Sequence, residues 1–254
     1  YSGRMAVSTD DGVTWNSISP GVASSHVNGL ATDGAGKWIF GSSAGYLRVS
    51  TNNGTTWSDV AIAWDNQVYL SVSYCGDNKW IATSTGGKLY VSTNNGVTWV
   101  KPGAVGTLTT QMIQCSAGKN GVMLVGVDAA VPIQRSTDNG VTWVASSIAQ
   151  RVYRILFLGS GTVLAVRNSN VIYRSTDSGL TWTSITPAVA ASNLQSIGEY
   201  LGTIIAYSAN GESVKSTDDG LTWSVVTVGD GTGLTILAAN GTWVAGSQDG
   251  ANIY

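Results

Sequence analysis

Charge is scarce in this chain. Charged side chains make up 11% of its 254 residues, only two of them glutamates, Glu199 and Glu212, and the formal net charge is −2. No basic stripe is present to neutralise a phosphate backbone, which argues against a nucleic-acid partner. No apolar run approaches the length that a membrane-spanning helix needs, so no membrane span is expected. Histidine occurs once, as His26, and cysteine twice, as Cys75 and Cys115. No His/Cys/Asp/Glu cluster has metal-ligand spacing, so neither a dedicated metal site nor a cofactor is expected. Two cysteines do not define a redox compartment. The chain begins at Tyr1 without Met and shows no signal peptide, which reads as a processed chain or a piece of a longer protein. Gly numbers 32 and Ser, Thr and Asn are plentiful, a composition suited to many short strands and turns rather than to helices.

The chain is rich in one octapeptide. Ser136-Thr137-Asp138-Asn139-Gly140-Val141-Thr142-Trp143 has five close copies, starting at Ser8, Ser50, Ser92, Ser175 and Ser216. Start-to-start spacings are 42, 42, 44, 39 and 41 residues. A near-constant period of this size marks a repeat architecture. The residues before each copy alternate as a strand does, for example Tyr46-Leu47-Arg48-Val49 and Val171-Ile172-Tyr173-Arg174. The octapeptide therefore reads as a hairpin turn. Its third residue (Asp10, Asn52, Asn94, Asp138, Asp177, Asp218) accepts backbone N–H bonds in an Asx-type turn. Its invariant Gly suits a positive φ. Its last residue (Trp15, Trp57, Trp99, Trp143, Trp182, Trp223) supplies apolar weight, on the order of 4–6 kcal/mol as an upper bound for a buried indole.

The motif closely resembles the Asp-box, or BNR repeat, S-x-D-x-G-x-T-W, in all six copies; Asn52 and Asn94 depart from it, and those two turns are expected to form slightly more weakly. The resemblance implies a β-propeller of the sialidase-like superfamily, with each box a structural turn between the third and fourth strands of a blade. The expected fold is all-β: a single domain over residues 1–254, six-bladed, of four-stranded antiparallel blades, with seven blades as the alternative. The third blade, for instance, takes strands at Thr109–Cys115, Val122–Gly126, Ile133–Ser136 and Thr142–Ala145. Arg4–Ser8 and Thr14–Ser17 read as third and fourth strands, so mixed N- and C-terminal strands are expected to close the ring. Ala251–Tyr254 reads as a surplus third strand. Cys75 and Cys115 fall at equivalent places in adjacent repeats, too far apart for a disulfide, and are expected as two free thiols.

Antiparallel alternation puts the connections between blades, and those between second and third strands, on the face opposite the boxes. Propellers usually bind at that face, around the mouth of the central channel. The candidates there are His26, Trp64, Asp65, Gln67, Asp128, Arg151, Asn168, Asn170 and Asp249. Trp64, an aromatic in a polar loop, suits stacking on a sugar ring or on a partner surface.

The sequence-level expectation is a non-catalytic recognition or structural module of an extracellular, cell-surface or phage tail-fibre-type protein. It would bind a glycan or protein partner and could self-associate or attach to further domains. Two alternatives stand beside it. One is a sialidase-type glycoside hydrolase: Tyr153-Arg154-Ile155-Leu156 resembles the Y/F-R-I-P segment of that family, which implies a substrate-carboxylate role for Arg154. Against it, the other arginines at this end, Arg151 and Arg167, belong to the same blade, and neither glutamate has a recognisable context for activating a tyrosine. The other alternative is an assembly factor of the photosystem II propeller kind, whose distinguishing basic patch the sequence lacks.

Overall fold

The computed structural model describes residues 5–10, 13–22, 25–60, 68–102, 113–167, 169–188, 193–208, 212–228, 233–239 and 242–247. The described residues are almost entirely strand and turn. The strands are β1 (Met5–Val7), β2 (Asn16–Ile18), β3 (Val27–Thr32), β4 (Trp38–Ser42), β5 (Leu47–Ser50), β6 (Ser58–Asp59), β7 (Tyr69–Tyr74), β8 (Trp80–Ser84), β9 (Leu89–Ser92), β10 (Ile113–Lys119), β11 (Val122–Val127) and β12 (Pro132–Ser136). They continue with β13 (Val144–Ala149), β14 (Arg154–Phe157), β15 (Val163–Val166), β16 (Ile172–Ser175), β17 (Thr183–Ile185), β18 (Leu194–Tyr200), β19 (Thr203–Ser208), β20 (Glu212–Ser216), β21 (Ser224–Thr227), β22 (Gly233–Ala239) and β23 (Thr242–Ser247). One 3₁₀ turn, Thr85–Gly87, interrupts them.

Among the described residues, strands pair only with their neighbours in sequence. Four sheets have four strands each, β3–β6, β10–β13, β14–β17 and β18–β21; β7–β9 form a three-stranded sheet, and β1–β2 and β22–β23 are pairs. The chain divides into two compact units, Tyr1–Val125 with Gln134–Val144, and Gly126–Ile133 with Ala145–Tyr254. In the first, Ile39, Leu47, Tyr69, Val72, Trp80, Ala82, Tyr90 and Trp99 form one buried cluster. In the second, Leu158, Leu164, Val166, Ile172, Leu194, Ile197, Ile204 and Val214 form another. The second strands are the most apolar, with Val163 to Val166 and Trp80 to Ser84 buried throughout, as expected for strands covered on both faces.

The octapeptide is a self-contained turn. Ser136 Oγ donates to Asp138 Oδ1 at 2.8 Å and accepts from Gly140 N at 2.9 Å. Asp138 Oδ1 accepts from Thr142 N at 2.9 Å, Oδ2 accepts the Thr142 hydroxyl at 2.5 Å, and Trp143 Nε1 donates back to Gly140 O at 3.0 Å. Thr and Trp are thus consumed in the turn, so the fourth strands start later than the alternation suggests. They begin at Ser58, Val144, Thr183 and Ser224, and in the β7–β9 sheet the fourth strand shrinks to one bridge, Val91 to Val100. The first strand of the third repeat, described over Ile113–Lys119, runs past the expected end at Cys115; residues 109–112 lie outside the described residues. Asn52 and Asn94 make the full set of bonds. Oδ1 of each accepts from the Thr amide at 2.9 Å, while Nδ2 donates to the Thr hydroxyl at 2.8 Å. The expected weakening has no counterpart in lost bonds, because the amide turns one acceptor into a donor and the hydroxyl rotates to receive it.

The turns after the first also lean on the sheet before them. A Cβ placed at Gly96 would lie 2.6 Å from Ile39 Cδ1, at Gly140 2.7 Å from Val91 Cγ2, and at Gly220 3.0 Å from Leu164 Cδ2. Gly54 faces Val7 in the same way at 3.4 Å. The turn residue before the Gly adds polar links: Asn95 O accepts from Lys37 Nζ at 2.5 Å, and Asp219 takes Arg174 Nη2 at 2.9 Å and Ser160 Oγ at 2.6 Å. These links confirm that the octapeptides share an end of the sheets with the first-to-second-strand turns. The expectation that all six indoles are buried is corrected at Trp15, which is 60% exposed, against 8% for Trp143, and at Trp57 and Trp223, which are partly buried; among the described residues β1 and β2 form a two-stranded sheet. Neither Cys75 nor Cys115 is in a disulfide and both are buried; burial pushes the Cys75 thiol up to about 12 despite the pull of Lys79. The surplus strand expected at 251–254 lies outside the described residues.

The turn carboxylates predict an acid response. Bonds from the Thr hydroxyl and amide hold Asp10, Asp138 and Asp218 down to about 2. In Asp177 burial pushes the other way, but the bonds from Thr181 outweigh it and the value is again about 2. A depressed folded-state value stabilises the fold above the ordinary carboxylate range and is lost as pH falls from about 4 towards 2. The denaturant midpoint is therefore expected to drop over that window. The drop should be shallower in Asp138→Asn, because Asn52 and Asn94 show that the amide keeps the turn without titrating. An unchanged pH profile in Asp138→Asn would count against this assignment.

Candidate functional site

The end of the sheets opposite the octapeptides carries the polar cluster. In the second unit it is assembled by three short connections. Asp128 follows β11, Gln150 and Arg151 follow β13, and Arg167 closes β15. Arg151 makes an ion pair with Asp128, and its guanidinium lies 4.7 Å over the Tyr153 ring. Tyr153 is placed by its own backbone, whose N–H donates to Val166 O at 2.9 Å. Arg167 Nη1 donates to Gln150 Oε1. The connection after Arg167 is tied down: Val171 N donates to Ser169 Oγ at 3.1 Å, and Leu194 N to Ser169 O at 3.2 Å.

Chemically this is a cation held flat on an aromatic face with one carboxylate partner. About half of the Arg151 side chain is exposed. Guanidinium planarity and fixed donors favour bidentate binding of a carboxylate or a backbone carbonyl, and stacking on Tyr153 reduces the conformational entropy lost on binding.

Of the residues singled out in the sequence, the structure brings Asp128 and Arg151 together. Asn170 is half-buried in the neighbouring connection. His26 is exposed in the first unit, where its N–H donates to Ser43 Oγ at 2.7 Å and its carbonyl accepts from Ser43 N at 2.9 Å, a turn-closing role. Trp64, Asp65, Gln67, Asn168 and Asp249 lie outside the described residues. Arg154 is half-buried in β14, its backbone opposite Val166. Glu199 lies at the octapeptide end of the sheets, with Oε2 on Gly159 N and Oε1 on Gly202 N, both at 3.2 Å. Gly159 is five residues along from Arg154, roughly 15 Å at strand rise, so Glu199 does not share a site with Arg154. Sequence reasoning passed over Tyr153 and Gln150 as partners; the signal was the run Gln150-Arg151-Val152-Tyr153, which places a cation two residues from an aromatic at a strand entrance.

A cleft of ≈ 320 Å³ opens at the octapeptide end, between Leu158, Ser160, Glu199, Ile204, Asp218 and Asp219. Its carboxylates are engaged by the chain itself. Burial pushes the Asp219 carboxyl up, but bonds from Ser160, Thr162 and Arg174 outweigh it and hold it below its ordinary value.

No family model matches the sequence, and no curated protein is similar to it. Solved structures are similar in fold. One is YCF48 bound to D1 peptide, 13% identical, with a TM-score of 0.70 over 95% of this chain and 81% of that one. Another is a catalytically inactive virginiamycin B lyase from Staphylococcus aureus with quinupristin, 14% identical, with a TM-score of 0.77 over 98% and 83%. A third is the GH74 enzyme of Niastella koreensis, 19% identical, with a TM-score of 0.68 over 96% of this chain and 40% of that one. All three are β-propellers. The fold of this chain is a β-propeller. At these identities the likeness carries the fold alone, since one propeller scaffold hosts a lyase, a glycoside hydrolase and a peptide-bound protein.

Proposed function

We propose that this propeller is a non-catalytic recognition module that binds a protein segment at the loop end of its sheets, with Arg151 on Tyr153 as the anchor. The observation that carries the reading is the half-exposed Arg151 guanidinium, fixed between Asp128 and the Tyr153 ring. Arginine and tyrosine in a pre-organised pair are typical of residues that dominate binding energy. The likeness to a propeller bound to a peptide supports a protein partner. In this reading the octapeptides are Asp-box turns and the ring has six blades, the last built from β22–β23 and β1–β2. A secreted, cell-surface or virion-borne setting is part of the proposal, supported by the low charge and the Ser/Thr/Asn/Gly-rich composition.

The experiment is a screen of the protein against a peptide library and a glycan array. A peptide ligand is expected, with Arg151→Ala and Tyr153→Ala each weakening it at least tenfold while leaving the denaturant midpoint unchanged. Binding to the glycan array alone, or peptide binding indifferent to both changes, would refute the assignment. No turnover of a fluorogenic sialoside is expected. Turnover abolished by Arg154→Ala would establish the hydrolase reading instead.

A further inference from the structure

The first strands of the second unit slip by one residue near their loop end. β18 pairs Leu194 with Ser208 and Ser196 with Tyr207, so Gln195 is left over as a β-bulge. β22 slips likewise between Gly233 and Thr235. In β14, Arg154 is the partner of Val166, and Tyr153 N–H donates to the same Val166 carbonyl at 2.9 Å, so both residues oppose Val166 and Tyr153 is the bulge residue. A bulge takes a side chain out of the strict alternation and re-aims it. That accounts for Tyr153 and Arg154 being half-buried in succession, between the buried Val152 and Ile155. The two bulges share one stretch of the loop end, because Leu194 N donates to Ser169 O at 3.2 Å and fastens the start of β18 to the connection that follows Arg167. Gln195 is half-buried, and among the described residues its amide makes no hydrogen bond. The charges there are unequal. Arg151 is paired with Asp128. The partner of Arg167 among the described residues is Gln150 Oε1, a neutral oxygen. The next described carboxylate at this end, Glu212, opens β20, the third strand of the neighbouring sheet.

We propose that the segment bound at this end is acidic: Arg151 on Tyr153 anchors it, Arg167 selects a carboxylate side chain within it, and the Gln195 amide holds its backbone. The inference rests on the recognition reading above and gives the chemical class of its partner. Arg167 is the selector because Asp128 already neutralises Arg151. Gln150 takes Nη1 of Arg167, which orients the guanidinium and leaves its other N–H groups for a two-pronged contact. A carboxylate fits that fork. A neutral residue in its place would leave the positive charge without a counter-charge once water is excluded. A glutamine amide carries both a donor and an acceptor, the pair that an extended backbone also presents, so Gln195 adds affinity without choosing sequence.

The test uses the full chain and a pair of peptide pools of equal length, one rich in Asp and Glu, the other with Asn and Gln at the same places. The acidic pool is expected to bind roughly tenfold more tightly, with an advantage that shrinks as salt rises. Arg167→Gln is expected to remove most of that advantage while leaving the binding of the amide pool and the denaturant midpoint in place. Arg167→Lys, which keeps the charge and loses the fork, should retain part of it. Gln195→Ala is expected to weaken both pools alike. Amide peptides bound as tightly as acidic ones, through Arg151 and Tyr153, would overturn this proposal and leave the recognition reading standing. An acidic preference indifferent to Arg167→Gln would also overturn it. Heparin bound more tightly than the acidic pool would overturn it in favour of a surface that reads charge alone. Failure of both pools to bind would remove the recognition reading and this proposal with it.

Discussion

Trp143→Ala is expected to lower the unfolding free energy by about 3–5 kcal/mol, the range for truncating a large buried ring. The indole is 8% exposed, and its Nε1 donates to Gly140 O, so the change leaves both a cavity and an orphaned carbonyl in a buried turn. The loss should appear in the midpoint of denaturant unfolding, with the slope unchanged if the sheets still unfold together. A loss below about 1 kcal/mol would mean that the ring does not hold the octapeptide against its sheet.

The second large effect is expected at Gly140→Ala, about 2–5 kcal/mol. Two independent penalties add. The backbone sits at φ 81°, where a side chain costs roughly 1–2 kcal/mol. The new methyl would also lie 2.7 Å from Val91 Cγ2 and 3.4 Å from Val91 Cβ. A β-branched side chain on a strand has little rotamer freedom with which to yield, so overpacking adds about 1–3 kcal/mol. The companion change Gly140→Ala with Val91→Ala separates the two. It should recover the steric part and leave the conformational part. Full recovery would show that the left-handed backbone is not a cost at this position.

The parts of this fold that were legible in sequence are the parts whose chemistry is local. Ser136, Asp138, Gly140, Thr142 and Trp143 satisfy one another within eight residues, so the turn can be read from spacing alone. What was not legible depends on partners distant in sequence. The delayed start of the fourth strands follows from Trp143 Nε1 and Thr142 N being spent inside the turn. The exposure of Trp15 follows from the sheet it belongs to, not from its octapeptide, which reads like the rest. At the loop end, Asp128 and Arg151 were visible as isolated polar residues. Their pairing, and the stacking on Tyr153, needed the connections after β11 and β13 to be brought together. Trp64, an aromatic in a polar loop of the sequence, lies outside the described residues.

The lean of the octapeptides after the first on the preceding sheet has a consequence for how the repeat could have multiplied. It is a head-to-tail contact: every interior unit donates a turn on one side and accepts one on the other, and the two surfaces are not alike. Heterologous contacts of this kind have no self-limiting pair, and they end only by closing into a cycle or by continuing without limit. Adding one unit never satisfies the last seat; it only moves it along. A contact of this kind puts no constraint on the letters of a single octapeptide, so individual copies can drift from Asp to Asn, and spacings from 39 to 44 residues, while the turn-on-sheet contact is kept.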